Sequence, residues 1–321
     1  MTLSKSNWIS KLKAIICVIL FLLGGLFTAS ADSLRLYFEN DTFFEHDYGY
    51  SNGVEVKYRF DKPLWKFDWY SLSIMQMMYT PHEIEPAEIQ YGSAPYCGFL
   101  GGEFGGYFLK PLTPRKFDKA YLILGTRLLA GTIGENSFAF ETQRFVHKIL
   151  GARKPGGWDN QHPNEIVVNF GLDAYLINRG VLIDERLGIN LDLIHKVILN
   201  AGTWKDDLTL GLGIRIGNTP NIMPIDEGIV SRYPWRKYGM YLCGGVAERL
   251  VWWNTRYDGN VFGDPVYTVE TEPLVTELYA GIGAYYKNIE FELLHHHITD
   301  EYVDQPEDFV DFLTISLSFN F

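Results

Sequence analysis

The sequence predicts an all-β protein, a transmembrane antiparallel β-barrel of about 12 strands with a short α-helix in an extracellular loop. Segments of alternating polarity recur along the chain, and 15% of the residues are aromatic. Beyond the N-terminal segment, no apolar stretch is long enough for a membrane-spanning helix. In hydrocarbon every backbone N–H and C=O needs an internal partner, and a closed barrel supplies these partners between strands.

The first 31 residues have the pattern of a secretory signal peptide. Three lysines precede the apolar run 14–27, and the small residues Thr28 to Ala31 follow it. That order predicts cleavage after Ala31, which leaves 32–321 as one outer-membrane β-barrel domain. Cys97 and Cys243 remain after cleavage, so one disulfide is conceivable but a disulfide framework is excluded.

The charge of the chain excludes one class of partner. The formal net charge is −11 at pH 7, and the signal segment contributes only positive side chains. A polyanion such as nucleic acid is repelled by a surface of this sign. We therefore expect no nucleic-acid partner.

The C-terminal segment shows the strand pattern most clearly. Apolar residues from Leu313 to Phe321 alternate with Thr314, Ser316, Ser318 and Asn320, as they do in a strand between lipid and a polar lumen. The final Phe321 resembles the signal by which the outer-membrane assembly machinery recognises barrels. The segment 51–60 alternates in the same way. A soluble β-sandwich also has alternating strands, and it is the alternative fold.

Period-two alternation bounded by turn residues predicts the positions of all the strands. The predicted strands lie near 33–41, 51–61, 67–79, 97–111, 117–133, 164–178, 186–199, 205–217, 237–257, 270–286, 288–299 and 309–321. Residues 218–236, with three prolines, read as a long loop.

One segment has helical rather than strand spacing. Ser137 is a candidate N-cap and Gly151 a candidate C-cap of a helix over the residues between them. Gln143 and His147 are four residues apart and share one face of this helix. A barrel does not need such a helix for stability, so its presence indicates a site. The alternative is a helix that only covers the barrel mouth.

A second cluster, near the start of the barrel, is rich in oxygen ligands. Glu39, Asn40, Asp41, Thr42 and Asp47 precede the segment 50–53, which reads Tyr-Ser-Asn-Gly. Such residues are common in simple turns. They are also the ligands that hold hard cations such as calcium. Strict alternation would turn Asn40 to the lipid and Asp41 to the lumen, so both can serve one site only if the strand twists or ends there.

Three motifs together resemble the LpxR family of lipid A 3′-O-deacylases. They are Asn-Asp followed by Tyr-Ser-Asn-Gly, the segment 143–147, and Gly-Trp-Asp-Asn-Gln at 157–161, all in the family's order. The resemblance implies a twelve-stranded barrel whose active site lies at the rim, between the barrel wall and a helix from an extracellular loop. It also implies a calcium-dependent carboxylic ester hydrolase that releases the 3′-linked acyloxyacyl group from lipid A of lipopolysaccharide.

The resemblance further assigns roles within the site. His147 would activate water, and Asn40, Asp41, Ser51 and Gln143 would complete the catalytic group. A Ca²⁺ ion ligated by Asp41 would stabilise the oxyanion. The chain departs from the family where the turn Tyr-Thr-Pro at 79–81 leads into acidic rather than basic residues. Phosphate-binding substitutes, or else members of a solvated face, are Arg144, Lys148, Arg153 and Lys154.

Two other functions fit parts of the sequence. An outer-membrane phospholipase with a Ser-His pair shares the compartment and the reaction type, and a porin or adhesin barrel would need no catalytic histidine. His295, His296 and His297 resemble a metal site, but successive strand residues point to opposite faces, so three ligands for one ion are not expected. Trp252 and Trp253 fit an interfacial aromatic belt.

Overall fold

A computed structural model describes residues 33–41, 48–112, 119–181, 189–218 and 237–321. The predicted signal peptide, Thr42 and Asp47 lie outside these ranges, as does nearly all of the predicted loop 218–236. Within them, no helix has the length and apolar character needed to cross a bilayer.

Twelve antiparallel strands form a closed barrel in the described part of the chain, and each pairs with its neighbours in sequence. Closure comes from β1 against β12, with Ser33 opposite Asn320 and Asn40 opposite Leu313. The strands are β1 (Ser33–Asn40), β2 (Gly49–Phe60), β3 (Trp69–Thr80), β4 (Cys97–Pro111), β5 (Lys119–Ile133), β6 (Glu165–Val181), β7 (Asn190–Gly202), β8 (Lys205–Gly217), β9 (Tyr238–Asn254), β10 (Leu274–Tyr286), β11 (Ile289–Thr299) and β12 (Phe309–Asn320).

The predicted fold class is confirmed, and the strand ends that differ have local causes. The predicted strand 237–257 ends at Asn254, whose side chain accepts the N–H of Arg256 and starts the short helix α2 (Thr255–Asp258). The strand predicted from 270 begins at Leu274. Glu270 accepts the N–H of Val303 at 2.8 Å instead. These residues therefore belong to the loops at the barrel mouth.

Side chains alternate between lipid and lumen as a membrane barrel requires. On β8, Leu210, Leu212 and Ile214 are exposed, whereas Thr209 before them and Arg215 after them are buried. On β12 the polar residues Thr314 and Ser316 are buried inside the barrel.

The lower half of the lumen is filled rather than open. Trp69, Tyr107, Ile123, Tyr175 and Tyr241 are among the residues of a buried cluster there. The Trp69 and Tyr107 rings stack with centroids 5.6 Å apart. Above this layer lies a cavity of about 280 Å³, lined by both charged and apolar side chains. The lumen is therefore a packed core below a small chamber.

The chamber is capped on the rim where β1 ends, which we call the upper rim. Buried Arg256 donates to Glu301 at 2.7 Å, and its guanidinium lies 4.2 Å from the centre of the Tyr79 ring. The Tyr257 hydroxyl donates to the same carboxylate at 2.9 Å. Burial alone would raise the pKa of Glu301, but Arg256 and Arg249 hold it below its usual value. The carboxylate is thus the anionic centre of the cap.

The two cysteines of the barrel are buried and free, so the conceivable disulfide is not formed. The histidine run follows strand alternation. His295 and His297 both contact Oδ1 of Asp311, at 2.7 and 3.0 Å, while His296 turns to Glu277 at 2.7 Å. The three rings do not converge, as expected for successive strand residues.

Candidate active site on the outer wall at the upper rim

The conflict between Asn40 and Asp41 is resolved because β1 ends at Asn40. Asn40 lies opposite Asn52 of β2, in the row above the Phe38 and Val54 pair on the lipid side of the wall. Asp41 comes after the strand and is free of its alternation. It is only 1% exposed, and its Oδ2 accepts the N–H of Tyr48 at 3.0 Å. Both residues can therefore lie at one junction.

The two asparagines fix the top of β1 against β2. Asn40 Nδ2 donates to the carbonyl of Ser51 at 2.8 Å, and Asn52 Nδ2 donates to the carbonyl of Glu39 at 2.9 Å. Each amide thereby uses its nitrogen on the neighbouring backbone. The side-chain oxygen of each asparagine is the end of its amide that can accept a hydrogen bond or ligate a cation.

Ser51 is aimed by a β-bulge. The register of β2 against β3 shifts between Tyr50 and Asn52, which leaves Ser51 as the extra residue. Tyr50 turns inward, where its ring meets Phe312 at 4.9 Å and its hydroxyl donates to Glu39. The Ser51 hydroxyl meets that of Thr80, at 2.5 Å. Bulges near sites commonly re-aim one side chain in this way.

A helix from the loop between β5 and β6 packs on the neighbouring part of the wall, against β3 and β4. The helix α1 (Ala139–Leu150) ends at Gly151, which has a positive φ of 65°, as predicted. The prediction that Ser137 is the N-cap is wrong. Ser137 belongs to a 3-10 turn over Glu135–Ser137, and Phe138, with φ of 56°, is the boundary residue. Because of this additional turn, the helix begins at Ala139, one residue later than a cap at Ser137 would place it.

The helix start is docked on the outer faces of β3 and β4. Gln76 Nε2 donates to the carbonyl of Ser137 at 2.7 Å. Ala139 packs in a buried group with Met78, Tyr96 and Trp158. A Cβ at Gly98 would overlap Ser137 Oγ and Ala139 Cβ, so the close approach requires glycine there.

Gln143 faces the wall, and Trp158 holds it. The side chain is buried, and its Oε1 accepts the indole N–H of Trp158 at 2.7 Å. Trp158 packs beside Met78, which lies opposite Asn52 in the β2 to β3 register. The motif at 157–161 thus connects the helix to the strand that carries Ser51. Sequence reasoning placed Asn52 in the oxygen-rich cluster and singled out the motif at 157–161, but it missed the hydrogen bond from Trp158 to Gln143 and the contact of Thr80 with Ser51.

His147 lies one helical turn beyond Gln143 and is partly exposed. Its Nδ1 is 2.6 Å from the carbonyl oxygen of Arg153. A carbonyl only accepts hydrogen bonds, so this contact requires a proton on Nδ1. In the neutral ring Nε2 is then the basic nitrogen. The backbone after the helix therefore sets the tautomer that a general base needs.

Two of the basic residues proposed for phosphate binding, and the neighbour of Asp41 at Tyr48, have contacts of their own. Arg153 pairs with exposed Glu85 at 3.5 Å, and the Arg144 guanidinium lies 4.9 Å from the Phe140 ring centre. Tyr48 is a hydrogen-bond donor here, because burial and nearby Glu307, Asp311 and Asp41 raise its pKa to about 12. Its hydroxyl donates to the carbonyl of Phe309 at 2.9 Å.

The junction offers oxygen ligands but a single described carboxylate. Asn40, Asp41, Ser51, Asn52 and Thr80 supply amide, carboxylate and hydroxyl oxygens, which are the donors that calcium prefers. Among the described residues, no three His, Cys, Asp or Glu side chains come together as a metal site. The donor chemistry fits a hard cation held mainly by neutral oxygens around Asp41.

In the described part of the chain, a closed twelve-stranded barrel with an apolar outer surface has the architecture of an integral outer-membrane protein. The family model described as outer membrane protein LpxR matches residues 14–321. The chain therefore belongs to the LpxR family, and it is an outer-membrane enzyme that modifies lipid A.

Two solved structures resemble this chain to different degrees. LpxR from Salmonella typhimurium is 21% identical with a TM-score of 0.71, and the match covers 90% of this chain and 100% of that one. The translocator domain of autotransporter NalP from Neisseria meningitidis is 9% identical with a TM-score of 0.34, over 98% of both chains. No curated protein matches the chain by sequence. The first likeness supports the fold, and the second is too distant to support an argument.

Proposed function

We propose that the protein is a lipid A 3′-O-deacylase that hydrolyses the ester of the 3′-linked acyloxyacyl group. One observation carries the proposal. Asn40 and Asn52 lie in the outward row at the top of β1 and β2, with Asp41 and Ser51 next to them in the chain, and the helix docked on the neighbouring strands β3 and β4 carries His147 with its tautomer set for a base. A buried ester of an outer-leaflet lipid can reach this part of the wall without entering the lumen.

In the proposed reaction, His147 Nε2 takes a proton from a water molecule while the water oxygen attacks the ester carbonyl. The C–O bond to the sugar then breaks, and the imidazolium returns the proton to the sugar oxygen. General-base catalysis of this kind contributes about 10²- to 10⁴-fold. Gln143, fixed by Trp158, positions the helix face on which the base lies.

Asp41 with the neighbouring amide and hydroxyl oxygens would hold Ca²⁺. When bound, the ion would supply positive charge for the developing oxyanion, a contribution of about 3–4 kcal/mol for comparable donors. Ser51 is proposed as a ligand or a substrate contact rather than the nucleophile. The Ser51 hydroxyl is hydrogen-bonded to the Thr80 hydroxyl, and a hydroxyl does not serve as the general base that a serine nucleophile needs.

The basic flank of the site is proposed to meet lipid A phosphates. Arg144 and Lys148 are exposed and four residues apart, so they share one flank of α1. Arg153 is tied to Glu85 and is a weaker candidate. The filled lower lumen and the capped chamber argue against the porin alternative, because an open water path is missing from the described barrel.

The test uses purified protein in vesicles that contain both lipid A and phospholipid, with calcium present. Mass spectrometry should show lipid A that has lost its 3′ acyloxyacyl group, together with intact phospholipid. Accumulation of lysophospholipid with intact lipid A would establish the phospholipase instead. Steady conductance in planar bilayers with no lipid product would establish a pore.

A further inference from the structure

The helix α1 keeps an apolar stripe that the barrel does not cover. Phe138, Phe145 and Ile149 are 58%, 60% and 53% exposed. Residues spaced by seven and four positions lie on the same side of a helix. Ala139 and Gln143 occupy the side buried on the wall. Three large side chains in a row are more apolar surface than an isolated exposed residue, and such a patch indicates a partner.

A cationic flank adjoins the stripe on the same helix. Arg144 and Lys148 are exposed and four residues apart, so they share one side of the helix. The helix thus has three flanks: one on the wall, one apolar and one charged. A helix with a bare apolar side and a cationic side is the type that lies in a membrane interface.

The stripe continues the lipid-facing belt of the barrel. On the outer face of β3, Leu72 and Ile74 are 47% and 64% exposed. Two residues further along, Gln76 donates to the carbonyl of Ser137. Phe138 follows directly, so the stripe begins where the bare part of the wall ends. A surface continuous with the lipid belt has lipid, rather than water, as its neighbour.

We infer that α1 is an interfacial helix whose stripe of Phe138, Phe145 and Ile149 is immersed in the acyl chains of the outer leaflet. Arg144 and Lys148 lie at the level of the anionic head groups. The bilayer then forms one wall of the space between α1 and the barrel. This inference concerns membrane contact, and it does not depend on the hydrolysis proposed above.

Spin labels on single cysteines test the depth of each flank. The variants are Phe145→Cys and Ile149→Cys on the stripe, with Arg144→Cys and Lys148→Cys as matched controls on the charged flank. Native Cys97 and Cys243 are buried, and wild-type protein treated with the same reagent measures their background. All positions are exposed on the helix surface, so the substitutions leave the fold intact. Each protein is placed in vesicles of phospholipid and lipopolysaccharide.

The expected result is a reversal of accessibility between the two flanks. Labels at 145 and 149 should relax with dissolved oxygen and be at least several-fold less accessible to a water-soluble nickel chelate, and labels at 144 and 148 should show the opposite. Equal access of the chelate to all four positions would overturn the inference. Dipolar broadening between labels at 145 would overturn it also, because a second copy of the chain would then cover the stripe. Neither readout involves lipid A cleavage, so failure of the proposed function would be seen separately.

Discussion

Two walls of the same barrel differ in what their outer faces present near the upper rim. On the side of β7 to β9, exposed residues such as Leu199, Leu210 and Leu250 meet the lipid directly. On the side of β1 to β4, the polar residues Asn40, Asn52 and Gln76 occupy equivalent outward positions. The first wall follows the rule for a membrane barrel, and the second breaks it.

The difference shows what a helix outside a barrel achieves. An unpaired amide in hydrocarbon costs several kcal/mol, so polar side chains on an outer face need partners and cover. Here the strand backbones pair with Asn40 and Asn52, and the helix segment pairs with Gln76. The covered wall thereby keeps polar groups beside the acyl chains, where an ester of lipid A lies.

The largest change in the difference between the two walls is expected from removing the carboxylate of Asp41. Asp41→Asn should lower the rate of lipid A deacylation about 10²- to 10³-fold, as loss of an oxyanion stabiliser does. It should also raise the calcium concentration needed for half-maximal rate. The matched control is Asp308→Asn, an exposed carboxylate elsewhere on the upper rim. Equal rates for the Asp41→Asn variant and wild type would remove Asp41 from the site.

Moving the helix should have the next largest effect. Gly98→Ala places a methyl group where Ser137 and Ala139 now lie, so the start of α1 must shift outward. A displacement of about 1 Å can cost about 10²-fold in rate. The control is Gly180→Ala, where the nearest atom to a new Cβ is 4.0 Å away. Heat-modifiable migration in gels should show both barrels intact, and an unchanged rate for Gly98→Ala would mean that the helix position is irrelevant.

A smaller effect is expected at the contact between the helix and the loop that follows it. Trp158→Phe removes the indole N–H that donates to buried Gln143, so the side-chain oxygen of Gln143 loses that donor. Such a loss costs about 1–3 kcal/mol, or roughly tenfold in rate if the helix loosens. Trp252→Phe, at a lipid-exposed position on β9, is the control. Hydrogen exchange of α1 should rise in the first variant alone.

The smallest effect concerns the cap over the lumen in acid. Burial lowers the pKa of His162, whose Nε2 lies 3.0 Å from the carbonyl of Arg256. Opening of the cap exposes His162, which can then take up a proton. The open cap is therefore favoured as pH falls below about 6.5, the unperturbed pKa of histidine. Glu301 has a depressed pKa, so its contribution is present at neutral pH and is lost at still lower pH.

Hydrogen exchange of residues 255–273 against pH measures this opening. We expect a first rise in exchange below about pH 6.5, which His162→Phe removes, and a second rise in the acidic range. The matched variant His195→Phe, on β7 far along the chain from the cap, should keep both steps. A single step that is unchanged by His162→Phe would contradict the assignment.

The alternation of polar and apolar residues predicted the barrel, because successive side chains of a strand face the lumen and the lipid in turn. The same logic placed Gln143 and His147 on one helix face, and the geometry agrees. The bulge at Ser51 and the bond from Trp158 to Gln143 could not be predicted, because both depend on register between distant segments. The carbonyl of Arg153 was also invisible to sequence reasoning, since a backbone group carries no residue signature. The predicted cap at Ser137 failed because a 3-10 turn precedes the helix.

The most direct test of the site is the lipid A profile of cells that express wild-type protein, His147→Ala or His195→Ala. We expect mass spectrometry to show loss of the 3′ acyloxyacyl group with wild type and His195→Ala, and a decrease of about 10²-fold or more with His147→Ala. Chelation of calcium should stop the wild-type reaction as well. Undiminished 3′ deacylation by His147→Ala would contradict the proposal that this helix supplies the base.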